Sequence, residues 1–416
     1  MRYRRRTIDD RLDRLLLVAP AIALDGPKGV GKTETAERRA DRSWFLDDPD
    51  HHALLAANPD FADIPAGTLL VDEWQRFPRI WDVVRRQVDR GAPPGRFLLT
   101  GSATPARDNP THSGAGRILS MRMRPMGIHE RLLQPPTVSL GALLSGTAAT
   151  ISGTTGVTLG GYLEAIESSG FPGIMGLPPD VRREQLDAYL LRVIDRDLPD
   201  LGFSVRRPDV LRRWLAAYAA ASSTTTAYAR LLAAATSGEG DRPAKTTTIA
   251  YRDHLSALWL LDPVPGWAPS RSPMSRLLQA PKHQLADPAL SLRLLGLTGA
   301  MLATPRGAHM AGPLFESLAT LTVRVAAQAS SARVGHLRTR NGDREVDLVV
   351  EGPEGQIIGI EVKLSATVDD RDVRHLRWLR ERLPEDVVDL VAITSGSTAY
   401  RRADGIAVVP LALLGA

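Results

Sequence analysis

The first part of the chain alternates between short apolar runs and stretches in which apolar residues recur every three or four positions. A short apolar run is typical of a buried strand, whereas the three-to-four spacing is typical of a helix with one buried face. The predicted elements are a helix over residues 8–18, strands over 21–24, 68–71 and 96–100, and helices over 32–42 and 80–89. Strands that alternate with helices in this order predict a parallel, three-layer α/β domain.

The pattern changes twice beyond that domain. Residues 141–161 are rich in Gly, Thr, Ser and Ala, which predicts a boundary or an insertion. From 163 to 297 the spacing is almost wholly helical, and after Gly312 it returns to a helix, strands and a helix. The chain is therefore expected to contain an N-terminal α/β domain, a helical middle and a second α/β unit.

Length and composition narrow the class of protein. The chain has 416 residues, of which 43% are apolar and 24% are charged. A chain of that length is normally divided into domains that each have their own hydrophobic core, so two or three cores are expected. The composition excludes collagen-like and wholly disordered chains. Because Cys is absent, it also excludes disulfide scaffolds, thiolate zinc sites and cysteine nucleophiles.

The N-terminal arginines precede an apolar stretch over residues 15–24, an arrangement similar to a secretory signal. Asp9, Asp10 and Asp13 interrupt that approach, so a signal peptide is not predicted. No stretch approaches the roughly 18 apolar residues of a membrane span. We therefore expect a cytoplasmic protein with no membrane partner.

The charge pattern allows a nucleic-acid partner without requiring one. The net charge is +5, which fits a polyanion such as DNA but is equally explained by a solvated surface. Arg outnumbers Lys by 47 to five. That rarity makes each lysine a residue whose role needs an explanation.

A glycine-rich loop, GPKGVGKT, follows the first predicted strand and begins the next helix. This context is the one that the phosphate-binding P-loop requires; the alternative is a glycine turn between core elements. The glycines let backbone N–H groups point at phosphate oxygens, Lys32 is predicted to reach the β and γ phosphates of ATP, and Thr33 to ligate Mg²⁺. The predicted nucleotide-binding residues of the loop are Gly26, Pro27, Lys28, Gly29, Val30, Gly31, Lys32 and Thr33.

Two carboxylates end the apolar strand that follows the loop. One of them, Asp72, is predicted to orient the magnesium ion, and Glu73 to act as the general base that polarises the attacking water. The next strand is followed by polar residues, among which Thr100 and Ser102 are predicted to face the nucleotide. Solvated surface acids are the alternative, but the preceding P-loop favours a site that hydrolyses ATP.

These motifs begin to resemble a known family. GPKGVGKT, LLVDEWQ, LLTGSAT and GAGRILSMRMRPMGIHE are similar to the AAA-type ATPase domain of prokaryotic proteins that also carry a C-terminal domain of unknown function. Residues 170–173, 189–198 and 312–318 are similar to segments of that second region, so the resemblance covers most of the chain. It implies a charge-stabilising role for Arg117, in cis or from a neighbouring subunit of a homo-oligomer. A helix-flanking or strand-surface arginine is an equal alternative.

The helical middle includes residues 226–235 and 246–261, which are predicted to form two helices joined by a polar turn. This pattern is typical of a winged helix, and the family resemblance implies one here. Such modules bind DNA or serve as packing units, and the few basic residues of the second helix leave both alternatives open. The residues predicted to face a DNA groove are Thr246, Thr247, Thr248, Tyr251 and Arg252.

Carboxylates recur in the C-terminal unit. Alternate residues of a strand share a face, so Glu361 and Lys363 point the same way, and a hairpin partner can bring Asp347 beside them. Carboxylates with a lysine can bind a divalent cation and activate water for phosphodiester cleavage. The arrangement resembles a restriction-endonuclease-like core, with Glu316 as its helix-borne metal ligand. An inactive relic and an exposed hairpin are the alternatives.

The sequence thus predicts a P-loop ATPase domain over residues 1–145, a linker or insertion over 146–160, a helical region with a winged helix over 161–300, and a restriction-endonuclease-like domain over 301–416. The expected function is magnesium-dependent ATP hydrolysis by a protein acting on nucleic acid, with metal-dependent nuclease activity as an additional hypothesis. The alternative is a nucleotide-controlled switch whose C-terminal domain only binds DNA or protein. A plugged carboxylate site would favour the switch.

Overall fold

The computed structural model describes residues 3–57, 65–103, 114–131, 133–148, 150–203, 205, 207–236, 245–268, 279–339 and 342–416. These residues form three units: an N-terminal parallel sheet with its helices, a helical middle and a C-terminal mixed sheet. In this described part of the chain, no helix is both long and apolar enough to cross a lipid bilayer.

The N-terminal unit is built on a five-stranded parallel sheet with the order β2-β3-β4-β1-β5. Its strands are β1 (Ala21–Asp25), β2 (Arg42–Phe45), β3 (Leu69–Asp72), β4 (Phe97–Gly101) and β5 (Leu119–Arg122). Its helices are α1 (Thr7–Leu16), α2 (Lys32–Glu37), α3 (Pro49–Ala57) and α4 (Arg79–Asp89). The predicted parallel α/β domain is confirmed.

Alternate residues of β1 explain the layers of this unit. Ile22 and Leu24 point to one face and pack in the same cluster as Leu12 of α1, whereas Ala21 and Ala23 point to the face that α4 covers. The edge strands β2 and β5 and the helix α3 were not predicted. Both edge strands are only partly buried, so they lack the continuous apolar run that identified β1, β3 and β4.

A short segment joins the N-terminal unit to the helical middle and contains β6 (Val138–Ser139), α5 (Leu140–Leu144) and β7 (Gly153–Thr154). Both strands pair with the C-terminal part of the chain: Val138 with Leu414, and Thr154 with Thr398. The apolar side of α5 lies in the core of the C-terminal sheet. The region predicted as a linker or insertion therefore contributes to that core.

The helical middle contains α6 (Leu159–Ser168), α7 (Pro172–Met175), α8 (Pro179–Arg192), α9 (Leu198–Asp200), α10 (Pro208–Ala220), α11 (Tyr228–Ala235), α12 (Lys245–Ala257), α13 (Pro288–Leu294) and α14 (Gly299–Leu302). Its buried Trp214 shares a core cluster with Ile22 and Leu24, so this unit packs on one face of the N-terminal sheet. After α12 the chain forms antiparallel bridges between Leu261 and Leu285 and between Val264 and Lys282, which we call the middle hairpin.

The C-terminal unit is a seven-stranded mixed sheet with the order β7-β12-β13-β11-β10-β9-β8. Its strands and helices are α15 (Ala308–Ala329), β8 (Arg333–Arg338), β9 (Glu345–Glu351), β10 (Ile357–Lys363), α16 (Arg374–Arg382), β11 (Val387–Thr394), β12 (Thr398–Arg401) and β13 (Ala407–Pro410), followed by β14 (Leu414–Gly415) against β6. The core on one face includes Phe315 of α15 and that on the other includes Leu376 of α16. The two strands expected around Asp347 and Glu361 are the antiparallel neighbours β9 and β10.

Candidate functional sites

The predicted P-loop connects the carboxyl end of β1 to the start of α2. A side chain on Gly26 would place its Cβ 2.1 Å from the carbonyl oxygen of Met123, so only glycine fits there. Gly31 has a φ of 95°, in the left-handed region that L side chains rarely adopt. These two positions let the loop curl against β5 and present its backbone N–H groups at the N-terminus of α2.

Lys32 lies at the centre of this loop and is only 5% exposed. Its Nζ donates to the carbonyl oxygens of Gly26 (2.8 Å) and Pro27 (2.9 Å), which are neutral acceptors. Burial lowers the pKa of Lys32 to about 8, against the opposing attraction of Glu73 and Asp72. The ammonium group is thus buried without a directly bonded counter-charge, the state that an anionic ligand stabilises.

Asp72 connects the loop to the neighbouring strands. Thr33 Oγ1 donates to Asp72 Oδ1 at 2.8 Å, and the hydroxyl of Thr100 donates to the same oxygen. Burial raises the pKa of Asp72 above its usual value, although both hydroxyls oppose the rise. Because β4 lies between β1 and β3, the structure brings Thr33, Asp72 and Thr100 together at one edge of the sheet.

Glu73 immediately follows β3 and has the left-handed backbone angles φ 54° and ψ 44°. A non-glycine residue in that region carries a conformational cost, which is common at functional sites. Ser102 Oγ donates to Glu73 Oε2 at 2.7 Å, and the amide of Gln75 donates to the same oxygen. These residues line a cavity of about 420 Å³ that also reaches Lys28. Ser102, predicted to face the nucleotide, therefore contacts the candidate base.

The helical middle contributes charged groups that the sequence did not identify as site residues. Lys28 of the P-loop forms an ion pair with Asp197, in the π-helical turn that follows α8. An adjoining cavity of about 790 Å³ is lined by Lys28, Arg76, Arg192 and Arg196. The sequence did contain one relevant feature, because residues 195–198 are similar to the second region of the family named above. That similarity was used to assign a domain and not to locate the nucleotide site.

Val30 and Gly31 of the loop line a smaller cavity of about 280 Å³. Its walls include Tyr3, Val30, Met123 and Met126, so they are largely apolar. Arg6 fixes this side of the loop, because its Nη1 donates to the carbonyl oxygen of Val30 at 2.9 Å. Residues of the P-loop thus line both a charged cavity and a largely apolar one.

Arg117 does not reach the P-loop. It precedes β5, whose first residue pairs with Ile22 near the start of β1, whereas the P-loop follows the end of β1. Its guanidinium forms an ion pair with Asp89 at 2.8 Å at the opposite edge of the sheet. The described geometry therefore gives Arg117 no contact with the nucleotide site of its own chain.

The second helix of the predicted winged helix exposes fewer of the side chains that were predicted to contact a DNA groove. Thr248 and Tyr251 are 6% and 4% exposed, and Tyr251 packs edge-on against Trp214 at 6.0 Å. Their prediction as groove contacts is wrong, because they belong to the core of the helical middle. Thr246 is exposed, and Arg252 forms an ion pair with Asp253 at 2.9 Å. The polar turn before this helix lies mostly outside the described residues.

The C-terminal carboxylates converge as the sequence suggested. Asp347 lies on β9, and its Oδ2 accepts a hydrogen bond from the backbone N–H of Val362 at 2.9 Å. On β10, Lys363 Nζ donates to Glu361 Oε1 at 2.9 Å. Glu316 approaches from α15. We call Glu316, Glu345, Asp347 and Glu361 the acidic cluster.

A lysine from the helical middle occupies this cluster. Lys282, on the middle hairpin, is 1% exposed, and its Nζ lies 2.9 Å from Glu316 Oε1, 2.9 Å from Asp347 Oδ1 and 3.2 Å from Glu345 Oε1. Although burial opposes it, these carboxylates raise the pKa of Lys282 well above its usual value. The only feature of the sequence that pointed to this residue was the rarity of lysine in the chain.

The carboxylates respond to the same crowding. Burial, followed by the charge of Asp347, raises the pKa of both Glu316 and Glu361 to about 8. Burial also opposes the ionisation of Asp347, yet Lys282 holds the pKa of that carboxyl below its usual value. Within the described residues, no group of three or more acidic or histidine side chains is arranged to hold a metal ion as it stands. The predicted metal ligands are therefore together, but Glu316 and Asp347 contact the ammonium of Lys282 and Glu361 contacts that of Lys363.

Comparison with known proteins places these sites in context. Residues 18–132 match the model of an AAA domain family. This match confirms the predicted P-loop, AAA-type ATPase domain and supports ATP binding and hydrolysis. Residues 160–300 and 311–414 match two further families, each described as a domain of unknown function, DUF8612 and DUF4143. Those matches carry no winged-helix or restriction-endonuclease label, so both assignments stay predictions.

Two relatives come from mycobacteria. The uncharacterized proteins Rv2008c of Mycobacterium tuberculosis and Mb2031c of Mycobacterium bovis are each 28% identical over 384 residues, which cover 88% of this chain and 75% of theirs. Among solved structures, the Walker-type ATPase of Pyrococcus abyssi matches with 12% identity and a TM-score of 0.37, over 69% of this chain and 94% of that one. The ORC2 protein of Aeropyrum pernix matches with 16% identity and a TM-score of 0.29, over 70% and 89% of the two chains.

Proposed function

We propose that this protein binds and hydrolyses ATP with Glu73 as the general base, and that the bound nucleotide controls how the P-loop contacts the helical middle. The position of Glu73 is the observation that carries the hydrolytic part. Its carboxylate is oriented by Ser102 and Gln75 at the wall of a cavity that also contains Lys28. A carboxylate held in this way can accept a proton from a water that attacks the γ phosphate.

The remaining residues bind and orient the nucleotide. The backbone N–H groups of the loop donate to phosphate oxygens, and Lys32 supplies the positive charge that the β and γ phosphates require. The side chains that would hold Mg²⁺ are Thr33 and Asp72, whose oxygens already lie 2.8 Å apart. When bound, Mg²⁺ neutralises phosphate charge and orients the γ phosphate. The apolar cavity beside Val30 and Met123 suits a flat purine base.

Nucleotide control follows from the ion pair of Lys28 and Asp197. Phosphates arriving at the loop compete with Asp197 for the Lys28 ammonium, because both are anions that need the same cation. Arg192 and Arg196 lie on the same cavity and gain an anionic partner at the same time. ATP binding therefore favours a different contact between the P-loop and the turn that carries Asp197.

Hydrogen exchange measured with ATP analogue, ADP or no nucleotide tests this control. We expect the backbone amides of residues 193–200 to exchange faster with a nonhydrolysable ATP analogue than without nucleotide. Asp197→Asn removes the ion pair, so its exchange should already be fast and should respond little to the analogue. Unchanged exchange in the wild-type protein at saturating analogue would remove the switch from the proposal, while phosphate release would test hydrolysis independently.

Metal-dependent phosphodiester cleavage is the second candidate function. The convergence of Asp347, Glu361 and Lys363, with Glu316 beside them, favours it, whereas the ammonium of Lys282 in the same cluster opposes it. The direct assay uses labelled single-stranded, double-stranded and branched DNA with Mg²⁺, Mn²⁺ or EDTA. Metal-dependent cutting that Asp347→Ala abolishes would establish the nuclease, and uncut substrates would leave the nucleotide-controlled switch.

DNA association is a separate part of this second candidate. A net charge of +5 and the sparse basic groups of α12 allow few phosphate contacts. We expect a log-log slope of affinity against salt of about −3 to −5, since each neutralised phosphate contributes a little less than one unit. Affinity that is absent at low salt, or does not change with salt, would exclude DNA as a partner.

A further inference from the structure

The middle hairpin holds Lys282 in a fixed position. Lys282 and Val264 exchange backbone hydrogen bonds of 3.0 and 2.9 Å, which keeps the two sides of the hairpin together. The hairpin also extends along β8, where Trp267 N donates to the carbonyl oxygen of His336 at 2.6 Å. The lysine therefore belongs to the helical middle in sequence, but its backbone is tied to the C-terminal sheet.

The ammonium occupies the place that a metal ion would take in such a site. Its three carboxylate oxygens come from three different residues, Glu316, Glu345 and Asp347, at 2.9 to 3.2 Å. The contacts with Glu316 and Asp347 are hydrogen bonds, and the contact with Glu345 is an ion pair. A divalent cation needs oxygen ligands of the same kind, converging on one point.

The ammonium of Lys282 does not engage every acceptor of the acidic cluster. Four carboxylates, including Glu361, face two ammonium groups, those of Lys282 and Lys363. Glu361 Oε2 is buried and, among the described residues, has no hydrogen-bond partner. An unused buried carboxylate oxygen of this kind favours binding of a further cation.

We propose that Lys282 is the resident cation of the acidic cluster, that it excludes divalent metal ions from the wild-type protein, and that replacing it with a neutral residue opens a site for one divalent cation. The principal ligands of that divalent cation are Asp347 and Glu361, and Glu316 is the third ligand. The C-terminal site is thereby closed by a residue of the helical middle. This inference concerns the C-terminal sheet alone and does not depend on ATP hydrolysis.

Metal binding without nucleotide tests the proposal directly. Mn²⁺ is titrated by isothermal calorimetry and by its electron paramagnetic resonance signal against the full chain. We expect Lys282→Met to bind one Mn²⁺ at least about tenfold more tightly than the wild-type protein, since an open carboxylate site replaces an internal ion pair. Adding Asp347→Asn to this variant should abolish the site.

Arg338→Met is the matched control for charge. Its guanidinium lies 3.9 Å from Glu345, so the variant removes a cation next to the cluster without emptying the position of the ammonium. It should bind Mn²⁺ no better than the wild-type protein. Equal gains in both variants would mean that net charge alone governs binding, and would overturn the proposal.

A double variant covers the case in which Lys282→Met does not fold. Lys282→Met with Glu316→Gln removes the ammonium together with one of its carboxyl partners and leaves Asp347 and Glu361 available. We expect it to bind one Mn²⁺ and to show a higher melting temperature with Mn²⁺ than without. A folded double variant that binds no metal, or wild-type protein that binds Mn²⁺ at this cluster as tightly as the variants, would contradict the resident-cation role.

Discussion

Lys32 and Lys282 are both buried ammonium groups surrounded by carboxylates, yet their environments act in opposite directions. The Nζ of Lys32 donates to two neutral carbonyl oxygens, and burial lowers its pKa to about 8. The Nζ of Lys282 contacts three carboxylates, which raise its pKa above its usual value. The same side chain therefore lies where an anion is expected to bind in one unit and within a cluster of carboxylates in the other.

The difference lies in the distance from ammonium to carboxylate and not in the number of acids nearby. Asp72 and Glu73 act on Lys32 through space while bonding to hydroxyl and amide groups. Direct contact at about 3 Å is worth far more than such a separated attraction, because buried charges are stabilised only when their hydrogen bonds are satisfied. A phosphate can therefore form the direct ion pair that Lys32 lacks. At Lys282 the carboxylates already hold that position.

Changing Glu73 should give the largest effect. Glu73→Gln keeps the size and the hydrogen bonds of the side chain but removes its ability to accept a proton, so turnover should fall about 10²- to 10⁴-fold. ATP affinity should stay within about threefold, because the P-loop contacts are intact. Phosphate release and fluorescent-nucleotide binding measure the two quantities. Equal turnover in both proteins would remove Glu73 as the base.

Replacing each lysine by Met should change the free energy of unfolding by different amounts. Lys282→Met leaves three carboxylates without their cation, and breaking such a buried pair should cost about 3–5 kcal/mol in the free energy of unfolding. Lys32→Met removes a buried charge whose direct partners are neutral, so stability should change by less than about 1 kcal/mol or increase. Urea denaturation of the full chain without nucleotide compares them. Similar losses in both variants would contradict the contrast.

The pH dependence of ATP binding follows from the lowered pKa of Lys32. Below a pKa of about 8 the side chain is charged and attracts phosphate; above it the proton is lost and that attraction disappears. Affinity should therefore weaken about tenfold between pH 7 and pH 9, as expected for loss of one required proton. Lys32→Arg stays charged over this range, so its affinity should be nearly independent of pH. A flat wild-type profile would contradict the assignment.

Arg117→Ala should have the smallest effect. Its ion pair with Asp89 is exposed and lies at the edge of the sheet opposite the P-loop, so turnover at low protein concentration should change by less than about twofold. Turnover is measured over a range of protein concentrations. A large loss at every concentration would restore a role in cis, whereas a loss that appears only at high concentration would identify Arg117 as a residue acting on a neighbouring subunit.

The P-loop site could be predicted because its parts are local or repeat a fixed order. Gly26 to Thr33 are contiguous, and the strand before Asp72 has an apolar run that marks it as buried. The carboxyl ends of parallel strands share one edge of the sheet, so Thr100 could be expected there too. Asp347 and Glu361 could be predicted to lie together because their strands, β9 and β10, are consecutive in sequence and pair as an antiparallel hairpin.

The contacts between units could not be predicted in this way. Lys282 meets Asp347 across 65 positions of sequence, and Lys28 meets Asp197 across 169. No periodicity links such residues, because their approach depends on how separate units pack. Tyr251 shows the same limit. The winged-helix interpretation placed it on an exposed face, whereas packing against Trp214 buries it.

The strands β6 and β7 have a consequence for the order in which the chain can fold. They precede the helical middle in sequence but pair with strands near the C-terminus. β6 forms a separate two-stranded sheet with β14, whereas β7 is the edge strand of the seven-stranded sheet. A ribosome releases β7 well before its partner β12 exists, and the edge of this sheet must wait for the last segment of the chain. A fragment that begins at residue 301 would lack both early strands. We therefore expect dissection of the protein to succeed only when residues 138–154 remain with the C-terminal unit.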